Sequence, residues 1–344
     1  MKNVFTIFVF SFLALIFIIS CDDASENILM VKNTPTAFGN ILLKRGINIG
    51  NALEAPIPGK WGVKIQPEYF DIIRTAGFDG VRLPVRFSAH TSQDAPYLID
   101  PTFLTLVDQV ISQGLNASLS IILDLHHFDE IMVDPEDQHD RFLAIWKQLS
   151  QHYQDYPSNL FFELLNEPSQ QLDAKTWNTL INESIALIRR TNPQRNIFIG
   201  GVDFNRINGL DLLQLPPDDN LVAVFHFYEP FEFTHQGASW VAGSQQWLGT
   251  TWKGTKAEKK HLSDQLDYAA AWSLKHRVPV IMNEFGAMAG IDADSRQQWT
   301  AFTARAAEER NIGWVYWEFC SQFKVYDCKN NSWDSDLLMA LIPE

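Results

Sequence analysis

The stretch "LFFELLNEPSQQ", residues 160–171, runs five apolar residues and one Glu into Asn166, Glu167 and Pro168 with no turn chemistry between them. An unbroken apolar run of this length is what a strand buried on both faces looks like, the condition of a parallel sheet covered by helices. Its end is unusual, because an amide and a carboxylate stand where the interior gives out. Seven other runs share its character: "RGINIG" (45–50), "GVRLPV" (80–85), "LSIILDLH" (119–126), "NIFIGGV" (196–202), "LVAVFHFY" (221–228), "PVIMNEF" (279–285) and "GWVYWEF" (313–319).

Between these runs the apolar period lengthens to that of a helix. Phe103, Leu104, Val107, Val110 and Ile111 fall on one face, with Gly114 as the expected stop. Phe142, Ile145, Trp146, Leu149 and Tyr153 do the same over 136–153. Asp173 is an expected N-cap, and Arg189 and Arg190 suit the C-terminus of the helix it opens. Residues 258–276 and 292–310 repeat the pattern, while "GLDLLQLP" after the fifth run makes only a short helix. Eight alternations of strand and helix argue for an α/β fold of one kind, a single closed (β/α)8 TIM barrel, over an open doubly wound sheet. No repeat or linker breaks residues 34–344, which read as one domain.

The chain has 344 residues, 46% of them hydrophobic, enough to bury the core of one large barrel. A formal charge of −14 argues against nucleic acid and anionic lipid surfaces and favours a neutral ligand. The 11 Trp are expected to line a surface in good part rather than fill the core. Residues 1–20 are a different material: Lys2 precedes "VFTIFVFSFLALIFII", an export signal rather than a spanning helix. The "IISC" of residues 18–21 resembles a bacterial lipobox. That resemblance implies cleavage before Cys21, a lipid on its thiol, a polar tether over 21–33, and a place on the periplasmic or cell-surface face of a bacterial membrane. Cys320 and Cys328 then remain, either as a disulfide or as two thiols.

The active site of such a barrel is built at the C-terminal ends of its strands. Polar residues gather there. Asn51 and Glu54 follow strand one, Arg82 lies in strand two, His126 and His127 close strand three, and Asn166 and Glu167 close strand four. His226 and Tyr228 close strand six, Glu284 strand seven, and Trp317 and Glu318 strand eight. Each alone has a bland explanation, but their convergence on one rim does not. Two rim glutamates, Glu167 and Glu284, suggest the paired carboxylates of glycoside hydrolysis, one donating a proton while the other attacks or stabilises the sugar carbon. Their protonation must differ, and Arg82 is a candidate cation for keeping one ionised. Spacing alone leaves open which glutamate has which role.

The motifs "GINIGNALEAP", "IILDLHH", "LFFELLNEP", "HFYEPFEFTHQGASW", "VPVIMNEFGA" and "GWVYWEF" resemble glycoside hydrolase family 5, in the clan of retaining (β/α)8 glycosidases. The first motif and "HQGASW" are similar to its bacterial endo-β-1,4-glucanases, which often also cut mannan. The resemblance runs from about Lys44 to Leu341. It implies Glu167 as general acid/base, Glu284 as nucleophile, and Asn166 as the partner of the sugar's 2-hydroxyl. It implies Arg82 and Tyr228 as the groups holding Glu284, His126 and His226 as the rest of the hydrogen-bond shell, and Trp317 as the platform under the sugar. Asn51, Glu54, His127, His235 and Trp240 would bind neighbouring sugar units, with Trp61 a further platform. Glu163, inside strand four, reads as structural.

The implied substrate is a β-linked polysaccharide or oligosaccharide cut by a monomer in an open cleft, with no cofactor and no metal. Two rivals stand beside it. A metal-dependent hydrolase on the same barrel would use His126, His127 and His226, but strand one lacks a His-x-His pair and no His-Glu-x-x-His occurs. A catalytically silent glycan-binding lipoprotein would keep the aromatic platforms but would not need both glutamates and Arg82.

Overall fold

The computed structural model describes residues 42–343. The expectations of a signal peptide over 1–20, a lipid on Cys21 and a tether over 21–33 lie outside the described residues. Eight parallel strands pair in sequence order and close into a barrel. They are β1 Arg45–Asn48, β2 Gly80–Val85, β3 Ser120–Leu125, β4 Leu160–Glu163, β5 Ile197–Gly200, β6 Leu221–Phe227, β7 Val280–Phe285 and β8 Gly313–Tyr316. The helices are α1 Glu68–Thr75, α2 Pro101–Asn116, α3 Asp129–Val133, α4 Pro135–His152, α5 Ala174–Ile188, the short α6 Phe231–Thr234, α7 Lys256–His276, α8 Ala293–Glu308 and α9 Ser335–Leu341. A small antiparallel pair, β9 Tyr326–Asp327 and β10 Ser332–Trp333, follows the barrel.

All eight expected strands form, most of them shorter than their apolar runs. The weak fifth unit is a 3-10 turn at Ile207–Leu212 in place of a full helix. Helix starts follow from local chemistry. Asp100, Asp134, Asp173, Asp292 and Asp334 each accept a backbone N–H of the first turn they open, and Thr255 and Glu258 form a capping box. One expectation is corrected. Gly114 does not stop α2, which runs on to Asn116. It is a point of close approach instead, since a Cβ there would lie 2.4 Å from Ile121 Cδ1. The expected end of α5 holds, since Arg189 caps it with its N–H on Ile185 O at 2.9 Å while its side chain pairs with Asp218 at 2.6 Å.

The Trp residues are also deeper than expected. Trp146, Trp177, Trp252, Trp299 and Trp314 are fully buried. Three of them use the indole N–H to satisfy loop or strand-end carbonyls: Trp146 donates to Leu164 O, Trp177 to Gly200 O and Trp299 to Glu229 O, at 3.0, 2.8 and 2.9 Å. A ring that brings its own donor suits the layer between strands and helices, where carbonyls run past the end of the ladder.

Alternation along the strands divides the barrel interior into storeys. Ile122, Phe161, Phe198, Val222, Val224, Ile281 and Val315 form, with Leu43, an apolar cluster separate from the main core. One step of two residues further along, the same faces carry Asp124, Glu163, His226 and Asn283, all buried. The interior is thus oily below and polar toward the C-terminal rim. Strand β7 breaks the alternation. Phe225 pairs with Met282 but His226 pairs with Glu284, so β7 carries an irregularity there. The extra residue turns both Asn283 and Glu284 toward the axis, whereas strict alternation would hide one of them.

Just beyond β7, Gly286 lies against the backbone that leaves β8. A Cβ at 286 would lie 2.0 Å from Trp317 O. Gly286→Ala is therefore expected to lower stability by about 1–3 kcal/mol, read as a lower urea midpoint, and to slow turnover by displacing Trp317. An unchanged midpoint would mean that the end of β7 can yield.

Candidate active site

Arg82, fully buried in β2, organises the rim from below. Its Nε and Nη2 donate to both oxygens of Glu163 at 2.7 and 2.8 Å, the paired geometry that suits a guanidinium. Nη2 also lies 2.9 Å from Asp124 and donates to Asn166 Oδ1 at 2.9 Å. Nη1 donates to Glu284 Oε1 at 2.6 Å and to Asn48 Oδ1 at 3.0 Å. Burial alone would discharge Arg82, but Asp124, Glu163 and Glu284 outweigh it and hold its pKa well above the ordinary value. One cation does not satisfy three carboxylates. Burial pushes Asp124 and Glu163 up to about 7 against the pull of Arg82.

Glu284 accepts a second bond from the Tyr228 hydroxyl at 2.8 Å. His226 Nδ1 lies 2.9 Å from Glu167 Oε1 and 3.4 Å from Glu284 Oε2. An oxygen of each glutamate and a nitrogen of His226 lie within 4.8 Å of one another. Burial raises Glu284 as well, but His226, Arg82 and the Tyr228 bond oppose the rise. Burial takes Glu167 up to about 7, with only Arg82 and the more distant Arg206 pulling the other way. The side chain of Glu167 is 34% exposed, and that exposed part faces the cleft. Burial also lowers His226 to about 4, so its ring is neutral near pH 7.

Glu167 and Asn166 do not lie on β4 itself, which ends at Glu163. They ride a short loop pinned on both sides: Leu164 N–H donates to Phe198 O of β5, and Asn166 N–H to Leu125 O of β3, at 3.1 and 3.0 Å. Glu167 turns with φ of 50°, a left-handed backbone that ends the extended run and aims its side chain into the cleft.

A cavity of about 560 Å³ opens over the glutamates. Asn51, Glu54, Trp61, His127, His235 and Trp240 all line it, as do His126, Asn166, Tyr228 and Trp317. Arg82 lies beneath. His226 faces a second cavity of about 620 Å³ that shares Glu167, Tyr228, His235 and Trp240 with the first, so the two meet at Glu167. Trp317 lies parallel to the His126 ring at 5.9 Å, and His126 Nδ1 is bonded to Asp124. Glu54 differs from a simple sugar ligand, since its buried carboxyl accepts the N–H groups of Asn51 and Ala52 and braces its own loop. Glu318 turns away from the rim, fully buried, and accepts from Ser321 and Phe323 N–H at 3.1 and 3.2 Å. Burial holds Glu54 at about 7 and Glu318 at about 8.

Several contributors were not singled out from the sequence. Asp124 stands two residues before His126 on the same face, and that spacing inside an apolar run was its signal. Asn48 and Asn283 have no such signal: they tie Glu163 and β7 together, with Asn283 Nδ2 donating to Glu163 at 2.8 Å and Asn48 Nδ2 to Asn283 O at 3.1 Å. Cys320 and Cys328 form a disulfide with Cα atoms 5.7 Å apart, which settles the open choice. The loop it closes brings Phe323 against Tyr228 and His235, with ring centres 6.0 and 5.3 Å apart.

The model of the cellulase family (glycosyl hydrolase family 5) matches residues 44–322. The chain belongs to glycosyl hydrolase family 5. Endoglucanase H of Acetivibrio thermocellus is 34% identical over 302 residues, which cover 86% of this chain and 32% of that protein. Endoglucanase 3 of Fibrobacter succinogenes is 28% identical over 334 residues, 83% of this chain and 50% of its own. The chain thus spans about a third of the first relative and half of the second. Structures of Thermotoga maritima Cel5A with cellobiose and with mannotriose each superpose with a TM-score of 0.86 at 46% identity, over 88% of this chain and 98% of theirs. As a family 5 member this chain is a glycoside hydrolase on a single (β/α)8 barrel.

The site carries a pH signature in stability. Glu54, Asp124, Glu163 and Glu167 near 7 and Glu318 near 8 hold protons in the folded state that the unfolded chain has already released. Below about pH 6.5 the neutral buried His126, His127, His226 and His235 oppose this, because unfolding lets them take protons up. Above that pH the opposition fades as the unfolded chain's imidazoles lose their remaining protons, and the five carboxyls, protonated only in the folded state, outweigh it. Unfolding free energy is therefore expected to fall by about 2 kcal/mol or more between pH 6.5 and 8.5. Urea titrations at the two pH values check this, and a flat or rising trend would contradict it.

Proposed function

We propose that the chain is an endo-acting retaining β-glycosidase that hydrolyses β-1,4-glucans, including mixed-linkage glucan and glucomannan, with β-mannan as a further substrate. The observation that carries the mechanism is the pair of glutamate oxygens within 4.8 Å. Carboxyl groups this close suit a double displacement, because an inverting site keeps them about 6.5–9.5 Å apart to admit a water. Glu284, held by Arg82 and Tyr228, is the ionised nucleophile. Glu167, protonated near neutral pH, is the acid. The Glu167 proton passes to the glycosidic oxygen as Glu284 attacks the anomeric carbon, and the leaving chain departs. Glu167, now a carboxylate, takes a proton from the water that attacks the same carbon and releases Glu284.

Asn166 spends its Oδ1 on Arg82, which leaves Nδ2 to donate to the 2-hydroxyl of the sugar under attack. Trp317 is the platform beneath that sugar, and Trp61 and Trp240 flank it. Two cavities meeting at Glu167 favour a chain threaded through an open cleft over one bound by its end. The cellobiose and mannotriose complexes of Thermotoga maritima Cel5A support both glucan and mannan as substrates. The mannotriose complex also motivates the alternative of mannan as the main substrate. Glu167, His226 and Glu284 are the one group of potential metal ligands found among the described residues, but Arg82 and Tyr228 already occupy both oxygens of Glu284. An enzyme insensitive to chelator would dispose of the metal-dependent rival. Export and anchoring through a lipid on Cys21 follow from the "IISC" motif, and we take the enzyme to act as a monomer on that surface.

Reducing ends should appear when the chain lacking residues 1–21 meets carboxymethyl-cellulose, mixed-linkage β-glucan, glucomannan or galactomannan, and Glu284→Ala should release none. Silence on all four from a folded protein would favour a binding role. On dinitrophenyl β-cellobioside, whose leaving group needs no proton, Glu167→Ala should keep kcat/KM within about tenfold of the parent while losing at least about a hundredfold on unactivated oligosaccharides. Equal losses on both substrates would reverse the assignment.

A further inference from the structure

Behind His226 lies a turn that the mechanism has not used. Asp203, Phe204 and Asn205 are three consecutive residues with φ of 63°, 62° and 54°. A left-handed run of side-chain-bearing residues is costly, and it persists only where its surroundings impose it. Here the turn is bonded on both sides of Glu167. Phe204 N–H donates to Pro168 O, next in sequence to Glu167, at 3.2 Å, and Asn205 O accepts His226 N–H at 2.8 Å.

Asn205 is fully buried. Its amide fills the space over Gly200, where a Cβ would lie 2.0 Å from Asn205 Oδ1. Its Nδ2 lies 3.4 Å from His226 Nε2. With Nδ2 turned to the ring and Oδ1 left buried without a partner, the amide donates, Nε2 offers its lone pair, and the proton of a neutral ring sits on Nδ1. That nitrogen is the one facing Glu167 Oε1 and Glu284 Oε2.

We propose that Asn205 is a positioning residue for the proton-transfer step, setting the His226 tautomer so that Nδ1–H donates to Glu167 Oε1. This rests on Glu167 being the acid/base. A protonated carboxyl accepts through its carbonyl oxygen and donates through its hydroxyl. A donor at Oε1 therefore puts the acidic proton on Oε2, from which it is delivered to the leaving group. In the opposite tautomer the Nδ1 lone pair would draw the Glu167 proton onto Oε1, and the acid would be bonded to His226 instead of the substrate.

Nitrogen-15 NMR of the histidine-labelled enzyme reads the tautomer directly, with His226 assigned by the signals lost in His226→Gln. The expected pattern is a protonated Nδ1 and a bare Nε2; a protonated Nε2 in the neutral ring overturns the proposal. Asn205→Gly keeps a residue suited to the left-handed backbone and removes only the amide. Its kcat/KM should fall about tenfold on unactivated oligosaccharides and under about twofold on dinitrophenyl β-cellobioside. Equal loss on both, as from a general structural fault, or no loss on either, overturns it. Glu167→Ala on the same two substrates separates the two levels. If it shows no dependence on leaving group, the acid/base assignment fails and this proposal with it. If it does while Asn205→Gly does not, only the role of Asn205 fails.

Discussion

One buried guanidinium holds the rim together. Arg82 reaches from β2 to Asn48 on β1, Asp124 on β3, Glu163 on β4 and Glu284 on β7, so five of the eight strands meet at a single charge. Buried ion pairs are poor evidence of net stability, because desolvation consumes much of what the attraction returns. Their value here is geometric. A planar fork with its donors in fixed directions admits only one arrangement of its acceptors, and a lysine at the same place would leave them free to turn.

The surplus of carboxylate over cation is what makes the site chemical. Arg82 and Tyr228 both donate to Glu284, whereas Glu167 stands at the cleft with no cation in contact. Burial raises both of these side chains, whose oxygens lie within 4.8 Å of each other, but only Glu284 has a guanidinium and a phenol donating to it to oppose the rise. Neutral His226 lies between them as a dipole, so it can serve both without adding a charge of its own.

Much of this was legible in the chain before it was folded. The eight apolar runs, the Asp173 cap and the rim positions of Glu167, Glu284, Arg82 and Trp317 are local patterns, and the barrel keeps them. Other residues misled for equally physical reasons. Gly114 carries a helix-stop signal, yet its lack of a side chain serves contact with Ile121 across the layer. The Trp residues read as surface because indoles are large and polar at one edge, but for Trp146, Trp177 and Trp299 that edge meets a carbonyl in the core. Asp124 was passed over because its partners, Arg82 and His126, lie on another strand and past the end of its own.

The sequence by itself determined which segments become strands and helices, their order, and hence that their C-terminal ends share one rim, because periodicity, capping and chirality act within a few residues. Only the tertiary structure decided how each rim side chain is aimed and charged. The irregularity at Asn283 and Glu284 shows only in the pairing of β7 with β6 and with β8, and the left-handed turns at Glu167 and Asn205 are imposed by bonds to neighbouring strands. The protonation of the two glutamates depends on how much water the closed barrel excludes, and a field summed over five strands is not written in any one of them.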